Sequence, residues 1–93
     1  MKATAVVTGA SGGLGAALTA KLLQDGWTVI AGVRSPEKAK NLLALSAAHE
    51  SLFIVKTDLV QDADRKHLVE VAQEKGHLAL LINNAGMALG NAL

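Results

Sequence analysis

The chain has 93 residues, of which 51% are hydrophobic, with a formal net charge of +1 and no cysteine. That length holds one small domain, and the lack of cysteine excludes disulfides and thiolate metal sites. Interspersed acids and bases, with one Trp and one Phe, argue against a nucleic-acid surface, and no apolar run approaches the roughly 18 residues of a membrane span.

Met1-Lys2 leads at once into a strand pattern rather than the apolar core of a signal peptide, so a cytoplasmic location is expected. Ala3 to Val7 is short, apolar and β-branched without alternation, as in a strand buried on both faces of a parallel sheet. Thr8-Gly9-Ala10-Ser11-Gly12-Gly13-Leu14-Gly15 follows. Leu14, Leu18 and Leu22, with Ala17 and Leu23 beside them, predict a helix that buries its leucines and is closed by Asp25-Gly26. Trp27 to Val33 predicts a second buried strand. Ser35-Pro36-Glu37 reads as N-cap, first helical residue and first-turn acid of a second helix. That helix carries Ala39, Leu42, Leu43 and Leu45 and fades around Ala48-His49. Leu52 to Val55 predicts the third strand, ending at Thr57-Asp58. Asp62 or Asp64 caps a third helix, with Leu68, Val71 and Ala72 facing in and Lys75-Gly76 closing it. Leu78 to Ile82 is the fourth strand and runs into Asn83-Asn84-Ala85-Gly86, while Met87 to Leu93 has no clear pattern.

Strands alternating with helices imply right-handed crossovers and a parallel sheet. The expected fold is α/β of the Rossmann type, half of a doubly wound sheet with strand order 3-2-1-4 and helices on both faces. Its ligand crevice would lie between strands 1 and 4, where the order reverses.

The glycine turn sits between a buried strand and a helix, which is the arrangement of a dinucleotide phosphate site. Glycines let a phosphate approach the backbone without meeting a Cβ, and the helix start offers unpaired N–H groups and a positive dipole end. A turn that is glycine-rich by chance explains the cluster poorly, because each glycine weakens a neighbouring helix or strand by about 0.5–1 kcal/mol. Arg34 lies just past strand 2, about 20 residues beyond the turn, where a dinucleotide fold reads the adenosine ribose. No acid follows until Glu37. A guanidinium there grips a 2′-phosphate, with the Ser35 hydroxyl beside it, so NADP is expected in preference to NAD. The alternative is a solvated arginine after a strand. His49, His67 and His77 have no partners at ligand spacing and do not suggest a metal.

Thr8-Gly9-x-x-x-Gly13-x-Gly15 resembles the cofactor motif of the short-chain dehydrogenases/reductases. Asn83-Asn84-Ala85-Gly86 resembles that family's motif after strand 4, and Asp58-Leu59 matches a third family feature at the end of strand 3. The resemblance covers most of the chain but only the first half of the family's fold. Residues 1–93 therefore read as an NAD(P)-binding Rossmann domain that is incomplete at its C-terminal end. The resemblance places Gly9, Ser11, Gly12, Gly13, Leu14 and Gly15 at the phosphates. It gives Asp58 the adenine amino group as partner, where residue type alone reads as a turn-forming Asp. It lets Asn83 and Asn84 tie backbone groups together or line the cofactor path, with Ala85 and Gly86 small enough for a backbone pressed against a ligand. An arginine at the position of Arg34 usually goes with NADP in this family.

The family's hydride transfer depends on a Ser, a Tyr and a Lys that lie beyond strand 4. This chain has no tyrosine, so no residue in it is assigned a catalytic role. The resemblance implies an NADP-preferring oxidoreductase that acts, at full length, on a small carbonyl or alcohol and forms a homo-oligomer. It has no nucleic-acid or membrane partner, and the 93 residues alone would be inactive. One alternative is a non-catalytic module that binds a nucleotide or pairs with another chain. Another is the extended, epimerase-like branch of the superfamily, since glycines at 9, 12 and 15 also fit Thr-Gly-x-x-Gly-x-x-Gly. With strand 4 at an uncovered edge, the isolated chain is expected to be marginally stable and sticky.

Overall fold

The computed structural model describes residues 3–83. Four strands and three helices alternate: β1 (Ala3–Thr8), α1 (Gly13–Gln24), β2 (Thr28–Val33), α2 (Lys40–Ala48), β3 (Leu52–Lys56), α3 (Asp62–Lys75) and β4 (His77–Asn83). All strand pairs are parallel, and the sheet order is β3-β2-β1-β4, as the alternation predicted. The carboxyl ends of the four strands therefore share one edge of the sheet. Strand β1 is paired on both sides and a core packs on each face of the sheet, so its run Thr4 to Thr8 is wholly buried. This explains why its sequence is apolar without alternation.

The sheet carries a core on each face. Val7, Val29, Ala31 and Val33 pack with Leu23 of α1 and with Ala39, Leu42 and Leu52. Val6 and Ile30 point the other way and meet Leu68 and Ala72 of α3. Gly32 on this second face lets α3 and the end of β3 approach: a Cβ there would lie 3.2 Å from Thr57 Oγ1 and 3.3 Å from Leu68 Cδ2.

Two helices differ from their sequence expectation. In α1 the buried residues are Gly15, Thr19 and Leu23, whereas Leu14 is 55% exposed. Gly15 presents no side chain to hold the helix off the sheet. The Thr19 hydroxyl donates to the Gly15 carbonyl at 2.8 Å, so a polar residue is buried with its hydrogen bond made. Gly15, Thr19 and Leu23 face inward; of the expected leucines, Leu22 is half-buried and packs against the core, whereas Leu14 is turned outward. The second helix is not continuous from Pro36. Pro36–Lys38 forms a 3-10 turn, and Ala39 (φ −86°, ψ 65°) breaks it before α2 begins at Lys40. The break lets Ala39 and Leu42 enter the core while Leu43 stays 46% exposed. Ser35 makes no side-chain cap bond.

The remaining boundaries follow local chemistry. Gly26 takes φ +88°, and Trp27 N–H donates back to the Leu22 carbonyl at 3.0 Å, which ends α1. The third helix starts at Asp62 after Gln61, without a side-chain cap, and ends at Lys75 before Gly76. Strand β4 pairs with β1 alone among the described residues, and Leu80 and Leu81 are 36% and 61% exposed.

Candidate functional site

The turn between β1 and α1 lies at the carboxyl edge of the sheet, at the central strand. It is built by backbone bonds. Gly9 takes φ +62°, a conformation that glycine adopts without strain. This reverses the chain so that Gly12 N–H donates to the Gly9 carbonyl at 3.2 Å. Gly12 is the N-cap of α1 in extended conformation, and its carbonyl accepts Ala16 N–H at 2.8 Å. No side chain caps the helix, and its first turn holds no acid. The N–H groups of Gly13, Leu14 and Gly15 have no acceptor one turn earlier within the helix. Ser11, Gly12, Gly13 and Leu14 are exposed around this helix start, while Gly15 is buried beneath it.

Gly13 tests whether the turn suits a ligand. Its φ is not positive, and a Cβ added to it would meet no atom within 4 Å. Neither backbone conformation nor internal crowding calls for glycine there, and the substitution from alanine weakens a helix. Space kept clear beside unpaired N–H groups and a positive dipole end fits an anionic group such as a pyrophosphate. Gly32 has its glycine for the opposite reason, packing inside the chain. The exposed Leu14 is likewise free of the core and stands at the mouth of this turn.

The neighbouring strand ends supply the other sequence-predicted residues. Arg34 follows β2 directly, is exposed, and makes no ion pair among the described residues. Ser35 follows it, and its carbonyl accepts Lys38 N–H at 3.0 Å. After β3, Thr57 N–H donates to the Val33 carbonyl at 2.7 Å, tying the two strand ends together. Asp58 Oδ1 accepts Val60 N–H at 3.1 Å, and Asp58 N–H donates to Asp64 Oδ2 at 2.9 Å. Asp58 is thus partly used in its own turn, and Asp64 anchors that turn rather than capping α3. The Leu59 carbonyl accepts from Arg65, whose guanidinium also reaches Asp62. Asn83 is the last residue of β4 and lies in register with Thr8, and Thr8 Oγ1 donates to the Ile82 carbonyl at 3.4 Å. This sets the end of β4 against the start of the glycine turn. Asn84, Ala85 and Gly86 lie outside the described residues.

One contact at the site had no signal in the sequence. Asn41, in the first turn of α2, donates from Nδ2 to the Ser11 carbonyl at 3.3 Å, and its Oδ1 accepts Leu42 N–H at 2.9 Å. An asparagine inside a helical pattern belongs to no motif, and only the fold brings it to the glycine turn.

A family model described as short chain dehydrogenase matches residues 3–93. A dihydroflavonol 4-reductase of Hordeum vulgare is 55% identical over 64 residues, covering 66% of this chain and 18% of that protein. A serine 3-dehydrogenase of Agrobacterium fabrum is 36% identical over 93 residues, covering 99% of this chain and 36% of that protein. Among solved structures, a short chain dehydrogenase/reductase from Burkholderia phymatum in complex with NAD aligns with a TM-score of 0.76 at 30% identity. It covers 86% of this chain and 29% of that one. The chain therefore spans about a third or less of the length of these relatives.

Proposed function

The chain belongs to the short-chain dehydrogenase family, and from that membership we propose that it forms the dinucleotide-binding part of an NADP-preferring oxidoreductase. The observation that carries the reading is the open helix start at Gly13, at the carboxyl edge of β1. The N–H groups of Gly13, Leu14 and Gly15 would hold the pyrophosphate, with Gly9, Ser11 and Gly12 shaping the turn. Arg34 and Ser35 would hold the 2′-phosphate. Asp58, through the carboxylate oxygen that Val60 leaves free, would accept from the adenine amino group, with Leu59 beside it. Asn83, Asn84, Ala85 and Gly86 would line the path on the β4 side. When bound, the nicotinamide supplies or accepts the hydride. This chain's residues bind and orient the dinucleotide and position one end of it at the crevice.

The relative solved with NAD supports a dinucleotide of this class. The choice of NADP rests on Arg34 and on the absence of an acid between the end of β2 and Glu37. With no tyrosine in the chain, the 93 residues bind without turnover. The full-length protein then acts on a small carbonyl or alcohol, in the cytoplasm, as a homo-oligomer.

Fluorescence titration with NADPH and NADH tests the reading. The full-length protein is expected to bind NADPH more tightly. Arg34→Ala should weaken NADPH about tenfold, the scale of a charge-assisted phosphate contact, and move NADH by less than about twofold. Equal loss for both dinucleotides, or no binding of either, would refute it.

A further inference from the structure

We propose that Asn41 is a positioning residue for the dinucleotide, holding the glycine turn in its anion-binding shape from α2. The inference rests on the dinucleotide reading above. Its basis is the peptide unit between Ser11 and Gly12. The N–H of that unit donates to the Gly9 carbonyl at 3.2 Å, and its C=O accepts from Asn41 Nδ2 at 3.3 Å. Both polar ends of one peptide plane are therefore fixed. This plane immediately precedes Gly12, the N-cap, so its orientation sets how the chain enters α1 and where the next N–H groups point.

The need for such a tether follows from composition. Gly9, Gly12 and Gly13 give the turn large backbone freedom, and although Ala10 is buried in the core, Ser11, Gly12 and Gly13 are exposed and are not ordered by packing. A turn that must present several N–H groups to one anion binds more tightly when it is already ordered. Asn41 comes from 30 residues away in sequence, on the first turn of the helix that follows Arg34 and Ser35. It thereby links the proposed 2′-phosphate side of the site to the proposed pyrophosphate side.

The amide is suited to the task. Its Oδ1 accepts Leu42 N–H at 2.9 Å while its Nδ2 donates to Ser11. The reverse orientation would set N–H against N–H and oxygen against oxygen, so the two partners fix the amide. An aspartate would place an oxygen against the Ser11 carbonyl, and an alanine would remove both bonds.

The test uses Asn41→Ala in the full-length protein, with three probes and one exchange measurement. NADPH and NADH should weaken by the same factor, about threefold to tenfold, because both carry the pyrophosphate. Adenosine 2′-monophosphate, which carries no pyrophosphate, should bind the variant and the parent alike. In the ligand-free protein, NMR should show the Gly12 amide exchanging faster in the variant, with exchange in β1 and β2 unchanged. Equal weakening of adenosine 2′-monophosphate would place Asn41 at the ribose or in general stability and overturn the proposal. Unchanged affinity for both dinucleotides, or unchanged Gly12 exchange, would also overturn it. A parent protein that binds neither dinucleotide would instead bring down the dinucleotide reading itself, and this inference with it.

Discussion

Replacing Gly13 by alanine should make the protein more stable and a poorer binder at once. The backbone at Gly13 is compatible with an L-residue, since positive φ among the described glycines is confined to Gly9, Gly26 and Gly76. A Cβ meets nothing within 4 Å, so no clash offsets the gain in helix formation. A Gly→Ala change at such a position stabilises by about 0.4–1 kcal/mol, mainly by restricting the unfolded chain. For a domain of this size that raises the midpoint of thermal unfolding by roughly 2–8 °C. The same methyl group fills the space beside the free N–H groups of α1. Holding a phosphate off those donors should raise the Kd for NADPH about tenfold, or about 1.4 kcal/mol. The assay is thermal unfolding with and without NADPH on the same samples. The midpoint rises without ligand, and the further rise produced by NADPH shrinks. A lower midpoint with unchanged affinity would mean that Gly13 serves internal packing. A higher midpoint with unchanged affinity would mean that no ligand approaches this position.

Two other substitutions probe the frame that carries the turn. Gly32→Ala places a Cβ 3.2 Å from Thr57 Oγ1 and 3.3 Å from Leu68 Cδ2, so it should destabilise by about 1–3 kcal/mol through overpacking, read as a lower denaturant midpoint. Its effect is opposite in sign to that of Gly13→Ala, although both exchange the same residue types. Thr4 is fully buried, and its hydroxyl has no partner among the described residues. Thr4→Val keeps the shape and removes that group, so stability should rise by about 1 kcal/mol in a urea titration. A fall would show that the hydroxyl is bonded in solution.

The parallel order 3-2-1-4 was legible because each strand and each stop is a local signal: β-branched runs, Asp25-Gly26, Lys75-Gly76. The glycine turn was legible because its spacing and its place between a strand and a helix are both one-dimensional. The face of α1 was not. Leucines at every fourth position look like a core stripe, yet the helix turns Gly15 and Thr19 inward, because small residues allow close approach to the sheet and the threonine bonds its own helix. The break at Ala39 was hidden for a similar reason. Ser-Pro-Glu starts a helix by its residue types, and only packing of Ala39 and Leu42 against the sheet interrupts it. Asp58 was legible as a strand-end acid, whereas its bond to Val60 is a matter of turn geometry. Asn41 was invisible, since its partner lies 30 residues away.

Of the two strands paired on both sides among the described residues, β1 is made first and enclosed last. Its partner on one side is β4, and Thr8 meets Ile82 across 74 residues of chain. At about 5–20 residues per second, the ribosome needs roughly 4–15 s to make that interval. Throughout it, the buried run from Thr4 to Thr8 keeps one row of backbone N–H and C=O groups unmatched. A strand in that condition is a template for pairing with other chains. The glycine turn therefore hangs from a strand whose second partner is made 74 residues later, and the yield of folded protein should respond to anything that slows or ends translation before residue 83.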